Sequence, residues 1–243
     1  MRIKLIACDV FARMAYAAAA VSEHRVDLEL LPMLSHNEPD KLRKELQDAI
    51  DKCKNACVEG YDKIILAYGL CGNAAAGLTA SIPMIIPRMH DCCAMFLGSR
   101  KKFLEHFEHR LSAQWRSCGY MERCASVMPN YKLHPDYLKL VEEYDEENAE
   151  YIWQTMNPPS ETDEDIYIRV EGFEYGGTYE SFVAQKAEEG RTVEVLEGDG
   201  EWFSRLVNGP WSNEDFLEIL PGNEIVPIYD MDEVYKSDKG VAK

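Results

Sequence analysis

The sequence contains no apolar run approaching the roughly 18 residues that a membrane-spanning helix needs, so none is expected. It also lacks a basic start followed by an apolar stretch and a small-residue cleavage site, and a soluble, cytoplasmic protein is expected. Turns of the G-x-G-x-x-G or Walker type are missing after the apolar segments, which argues against a nucleotide-binding domain. Basic residues are the minority: 26 Lys and Arg stand against 43 Asp and Glu, for a formal net charge of -17. Such a chain repels phosphate backbones and anionic lipid surfaces, so neither nucleic acid nor membrane is an expected partner. Internal repeats and low-complexity tracts are absent as well.

What is present suffices for one domain. The chain has 243 residues, 46% of them hydrophobic, enough to bury a sizeable core over 1–243 without covalent staples. Much of the acidic charge is local, in Glu142–Glu150 and Glu161–Asp165, as suits a solvated surface. Eight cysteines in a reducing compartment do not suggest a disulfide framework. Metal ligation or thiol chemistry explains them better.

Along the chain, apolar strand patterns alternate with helical ones. The run from Arg2 to Cys8 reads as a buried parallel strand, and the alanine-rich stretch from Phe11 to Glu23 as a helix. Val26 to Met33 alternates apolar and charged residues, the period of a strand with one wet face. Leu42, Leu46, Ala49, Ile50 and Cys53 recur at helical steps behind Pro39, which suits a first helical turn. Tyr61–Gly69 and Ile82–Pro87 read as two further buried strands, the second starting at Pro83, and Asp91–Arg110 returns to helical spacing. This order predicts an α/β fold, doubly wound, with a mainly parallel Rossmann-like sheet. Residues 112–178 are less regular, with a long acidic helix over Tyr137–Met156, and read as a helical insertion or cap. Later signals are helices over Tyr179–Glu189 and Asp199–Val207 and strands over Thr192–Leu196, Phe216–Leu220 and Glu224–Ile228, which complete the sheet.

In open parallel sheets, ligands bind beyond the carboxyl ends of the strands. Three cysteines fall there: Cys8 ends the first strand, Cys71 follows the third in Gly69-Leu-Cys-Gly-Asn73, and Cys92 follows the fourth. Buried cysteines often serve as small hydrophobes, yet three at equivalent strand ends point to a shared site. Gly69 and Gly72 permit the close backbone approach of a ligand cradle, with Asn73 in the same turn. Thiolates suit zinc, copper(I) or an iron–sulfur cluster rather than hard, oxygen-seeking ions, and three of them leave one coordination position open. His90 and Asp91 stand beside Cys92 as candidates for a fourth ligand or an acid/base pair, although Asp91 equally fits a helix cap. Arg88, at a strand end of an acidic protein, favours an anionic ligand. Of the other cysteines, Cys53 reads as core and pairs with Cys57 only by helical spacing, Cys93 points into helix packing, and Cys118 and Cys124 are candidates to reach the pocket from the cap.

The segments Tyr68-Gly-Leu-Cys-Gly-Asn73, Gly77-Leu78, Ile86-Pro-Arg-Met-His-Asp-Cys92 and Leu97-Gly-Ser99 resemble the family known as domain of unknown function 1638. The likeness is most specific over 66–100, extends over 1–110 and resumes at Phe216-Leu-Glu-Ile-Leu-Pro-Gly222. It implies a setting in anaerobic one-carbon metabolism, beside corrinoid-dependent methyltransferases, and points to Cys8, Cys71 and Cys92 with Arg88, His90 and Asp91 as neighbours.

The function expected from these residues is a metal- or iron–sulfur-binding protein. Its three thiolates would hold a four-iron, four-sulfur cluster or zinc and leave room for a small anionic or sulfur-containing substrate. Two alternatives stay open: zinc-dependent methyl transfer to or from a thiol, and a non-catalytic metallochaperone or accessory that docks on a methyltransferase or corrinoid protein.

Overall fold

The computed structural model of the chain describes residues 1–33, 38–53, 60–70, 73–110, 113–123, 132, 135–156, 164–228 and 234–239. It is a mixed α/β structure with a mostly parallel main sheet and nine α-helices among the described residues. That sheet has the order β2-β1-β3-β4-β8. Its strands are β1 (Arg2–Cys8), β2 (Arg25–Leu31), β3 (Lys63–Ala67), β4 (Met84–Pro87) and β8 (Phe216–Ile219). The first four are parallel, and β8 closes the edge antiparallel to β4, with Met84 opposite Ile219.

Alternation along the strands sends side chains into two cores. Ile3, Leu5, Ala7, Ile65, Ala67 and Ile85 face the cluster built with helices α1 (Ala12–Val21), α3 (Cys92–Leu97) and α9 (Trp202–Asn208). Ile6, Ile64, Leu66, Met84 and Ile86 face the opposite cluster, covered by α2 (Pro39–Lys52) and the hairpin of β9 (Asn223–Pro227) and β10 (Tyr235–Lys239). A strand buried on both faces must be apolar throughout, which is why β3 and β4 read as continuous hydrophobic runs.

The expected helix over Asp91–Arg110 is two helices. Gly98 takes a left-handed conformation (φ 68°) at the end of α3, and the Ser99 hydroxyl accepts the Lys102 amide to start α4 (Arg100–Phe107). The expected helix over Tyr137–Met156 is likewise broken into α6 (Pro135–Glu143) and α7 (Glu146–Met156) at Asp145, whose φ is 114°.

The segment read as irregular carries a second parallel sheet. Its strands are β5 (Gln114–Ser117), β6 (Glu164–Arg169) and β7 (Thr192–Glu197), in the order β5-β6-β7. Helices α5 (Cys118–Arg123), α6 and α7 lie between β5 and β6 in the chain, and α8 (Thr178–Glu188) lies between β6 and β7. The sheet therefore extends past residue 178, and β7 pairs with β6 rather than with the main sheet. Ile166, Ile168 and Leu196 join the core that contains Phe96 and Trp202, so the second sheet packs on the α3 side of the first. Backbone contacts pin it there: the Asp199 amide donates to the Phe96 carbonyl at 2.9 Å, and a Cβ at Gly198 would come within 2.7 Å of that carbonyl oxygen. No helix of the described residues is long and apolar enough to cross a membrane.

Candidate functional site

β1 is flanked by β2 on one side and β3 on the other, so successive crossovers leave it in opposite directions. Such a reversal opens a crevice beyond the carboxyl ends of the two inner strands. A cavity of about 330 Å³ lies there. Its floor is made by Cys8 at the end of β1, with Phe11 in the short 3-10 turn that follows, and Tyr68 after β3. Pro32 and Met33 close it from the end of β2, and Asp91, Cys92 and Met95 from the start of α3. The second sheet roofs it, with Gln114, Trp115 and Arg116 of β5 and Tyr120 of α5 on the wall.

Cys8 at the end of β1 and Cys92 at the start of α3 thus face one cavity. Cys8 and Cys92 are half-buried thiols on its wall, 84 positions apart in the chain. Cys71 and Gly72 lie outside the described residues. Their flanks are tied down: the Leu70 amide donates to the His90 carbonyl at 2.8 Å, and the Asn73 carbonyl accepts from Arg43 Nη2 at 2.9 Å. Asn73 itself is left-handed (φ 69°) and serves as a turn anchor. Gly69 has a specific reason to be glycine. A Cβ there would stand 2.7 Å from the His90 carbonyl oxygen and the Asp91 nitrogen, so the loop before Cys71 and the loop before Cys92 approach backbone to backbone.

Asp91 combines two positions. Its Oδ1 accepts the Ala94 amide at 3.0 Å and caps α3, while the residue lines the cavity. Burial pushes its carboxyl above the usual range, against the opposing pull of the Ala94 and Cys93 amides and of His90. The His90 ring does not line the cavity; it lies 5.8 Å from the ring of Phe103. Arg88 is also turned elsewhere. Its Nε donates to the Asn213 carbonyl at 2.8 Å, Nη2 to Asn213 Oδ1 at 3.0 Å and Nη1 to the Tyr235 carbonyl at 2.5 Å. Because Pro87 ends the strand in the β8 register, Arg88 emerges over the C-terminal segments and clamps their carbonyls.

The remaining described cysteines are packing residues. Cys93 is fully buried in the core, and burial raises its thiol far above the ordinary range. Cys53 donates to the Ala49 carbonyl inside the α2 core, with its thiol also raised by burial. Cys118 contacts Thr178 Oγ1 at 3.7 Å and lies apart from the cavity. Cys57 and Cys124 are outside the described residues. Among the described residues no three His, Cys, Asp or Glu side chains are grouped to hold a metal ion.

Sequence reasoning missed the roof. Trp115, Arg116 and Tyr120 carry no local signal of a site, since a four-residue strand and a one-turn helix in an irregular stretch have no periodicity to read. Pro32 and Met33 were findable, because they follow a parallel strand just as Cys8 does.

The family model described as "Protein of unknown function (DUF1638)" matches residues 30–189, a span that begins after Cys8 and takes in Cys71, Cys92 and the roof of the cavity. No curated protein and no solved structure matches the chain.

Proposed function

The chain belongs to the DUF1638 family, and from the geometry of its cavity we propose that it binds a metal ion or an iron–sulfur cluster through Cys8, Cys92 and Cys71. One observation carries the proposal: two cysteines far apart in sequence line the same cavity at the strand-order reversal of a parallel sheet. Cys71 follows Leu70, whose amide is bonded to the loop that bears Cys92. With helix-covered cores on both faces, the main sheet reads as a doubly wound, Rossmann-like arrangement, in which that reversal is the usual ligand position.

The donor set suits a thiophilic centre. The described wall offers two thiols and a single carboxylate, Asp91, whose Oδ1 is engaged by an α3 amide. Zinc and iron–sulfur clusters accept such thiolates, whereas calcium or magnesium would want several oxygens. When bound with three protein thiolates, the centre offers one open position to a small ligand. The cavity supplies the room for that ligand, beneath the roof of the second sheet. An all-thiolate set suits zinc and iron–sulfur clusters alike.

Anaerobic purification followed by metal and acid-labile sulfide analysis with an absorption spectrum tests the proposal. The wild-type protein is expected to carry stoichiometric metal, which Cys8→Ala, Cys71→Ala and Cys92→Ala lose and Cys93→Ala retains. Iron with equal sulfide identifies a cluster, and zinc without sulfide identifies a mononuclear site. A folded wild-type protein that takes up neither overturns the reading.

A further inference from the structure

Among the described lining residues Arg116 is the single cation, and the roof rather than the strand ends supplies it. Its guanidinium is half-buried and has only neutral partners. Nη1 donates to the Trp115 carbonyl at 2.7 Å and lies 3.5 Å from Gln114 Oε1. In a chain with 43 acidic residues, it forms no ion pair with a described carboxylate. Asp91, which lines the same cavity from the start of α3, accepts the Ala94 amide instead. The guanidinium lies over the Tyr120 ring at 5.7 Å, and that ring packs edge-on against Trp115 at 5.2 Å. A partly desolvated cation with donors to spare is costly unless an anion arrives to meet it.

We infer that the cavity selects a small-molecule monocarboxylate with a flat or apolar body, the carboxylate pairing with Arg116 and the body lying against Trp115 and Tyr120. A phosphate ester fits less well. Its second charge would find no other cation on the described wall, whereas a carboxylate matches the guanidinium fork one to one. A volume of about 330 Å³ is at the small end for ligand sites, which limits the body to a single ring or a short chain. The inference rests on this cavity being the functional site, as proposed above, but not on what its thiols hold.

Titration calorimetry of the anaerobically purified protein tests it, with phenylacetate, 3-phenylpropionate and hexanoate, their neutral amides, and phenyl phosphate as probes. At least one carboxylate should bind, at least about tenfold more tightly than its amide. Arg116→Gln should weaken that carboxylate by about 10- to 100-fold and move the amide by no more than about twofold, with Arg116→Lys between them. Circular dichroism and metal content should match the wild type in both variants. If Arg116→Gln does not fold, the same ratio is read from Arg116→Lys. Failure of every carboxylate to bind, an equally tight amide, tighter phenyl phosphate, or no effect of substitution overturns the inference. A metal-free wild type that still discriminates carboxylate from amide overturns only the metal reading.

Discussion

Replacing Gly69 by alanine probes the contact on which the cavity's floor depends. Gly69 needs space rather than an unusual φ: its added methyl would meet the Asp91 nitrogen and His90 oxygen at 2.7 Å and the Asp91 Cα at 2.8 Å. All three are backbone atoms, which cannot swing aside as a flexible side chain would. The loops after β3 and β4 would therefore have to part by several tenths of an ångström. Overpacking of this kind costs about 1–3 kcal/mol, and the same separation stretches the 2.8 Å bond from the Leu70 amide to His90, worth about 1 kcal/mol more. The sum, about 2–4 kcal/mol, corresponds in a chain of this size to a fall in melting temperature of about 5–15 °C. Thermal unfolding followed by circular dichroism measures it. Metal content should drop in the same variant, because the loop bearing Cys92 moves away from Cys8. Gly60→Ala is the internal control: nothing lies within 4 Å of its added Cβ, and its melting temperature should hold. A Gly69→Ala protein that melts within about 2 °C of the wild type and keeps its metal would refute the backbone-contact argument.

Two further substitutions separate architecture from site. Arg88→Met removes three donors, two to the exposed Asn213 and one to the carbonyl of the buried Tyr235, and is expected to cost about 1–3 kcal/mol in urea unfolding while leaving metal content and ligand affinity intact; a loss of ligand affinity without a loss of stability would return Arg88 to the site. Asp27→Asn addresses pH. The Asp27 carboxylate accepts from Arg2 and Tyr61, and its pKa is lowered chiefly by the Arg2 hydrogen bond. A carboxyl group depressed in the fold contributes stability above its unfolded pKa and loses it as the pH falls through the folded one. The variant should be less stable than the wild type at neutral pH and converge on it in acid. A constant offset at every pH would contradict that assignment.

The strands of the main sheet, the helices α1 and α2 and the places of Cys8 at the end of a strand and of Cys92 in the segment after another were all legible in the sequence. Each rests on a local rule: runs buried on both faces, helical spacing of apolar residues, and the fact that a parallel strand delivers whatever follows it to one edge. Arg88 marks the limit of that rule. Its place just past a strand end was readable, but the direction of its side chain was set by Asn213 and Tyr235, which lie 125 and 147 positions away. The second sheet escaped because β5 has only four residues and β6 follows an acidic stretch that masks its alternation.

By itself, then, the sequence determined that this acidic chain is an α/β protein in which Cys8 ends one buried strand and Cys92 follows another, because strand burial and chain direction are properties of short segments. The tertiary structure alone decided that these two thiols share a cavity under a roof of Trp115, Arg116 and Tyr120, and that Arg88 faces away from it. Convergence of segments is settled by packing between distant elements, above all the approach at Gly69 and the seating of the second sheet on α3, and no local pattern encodes those distances.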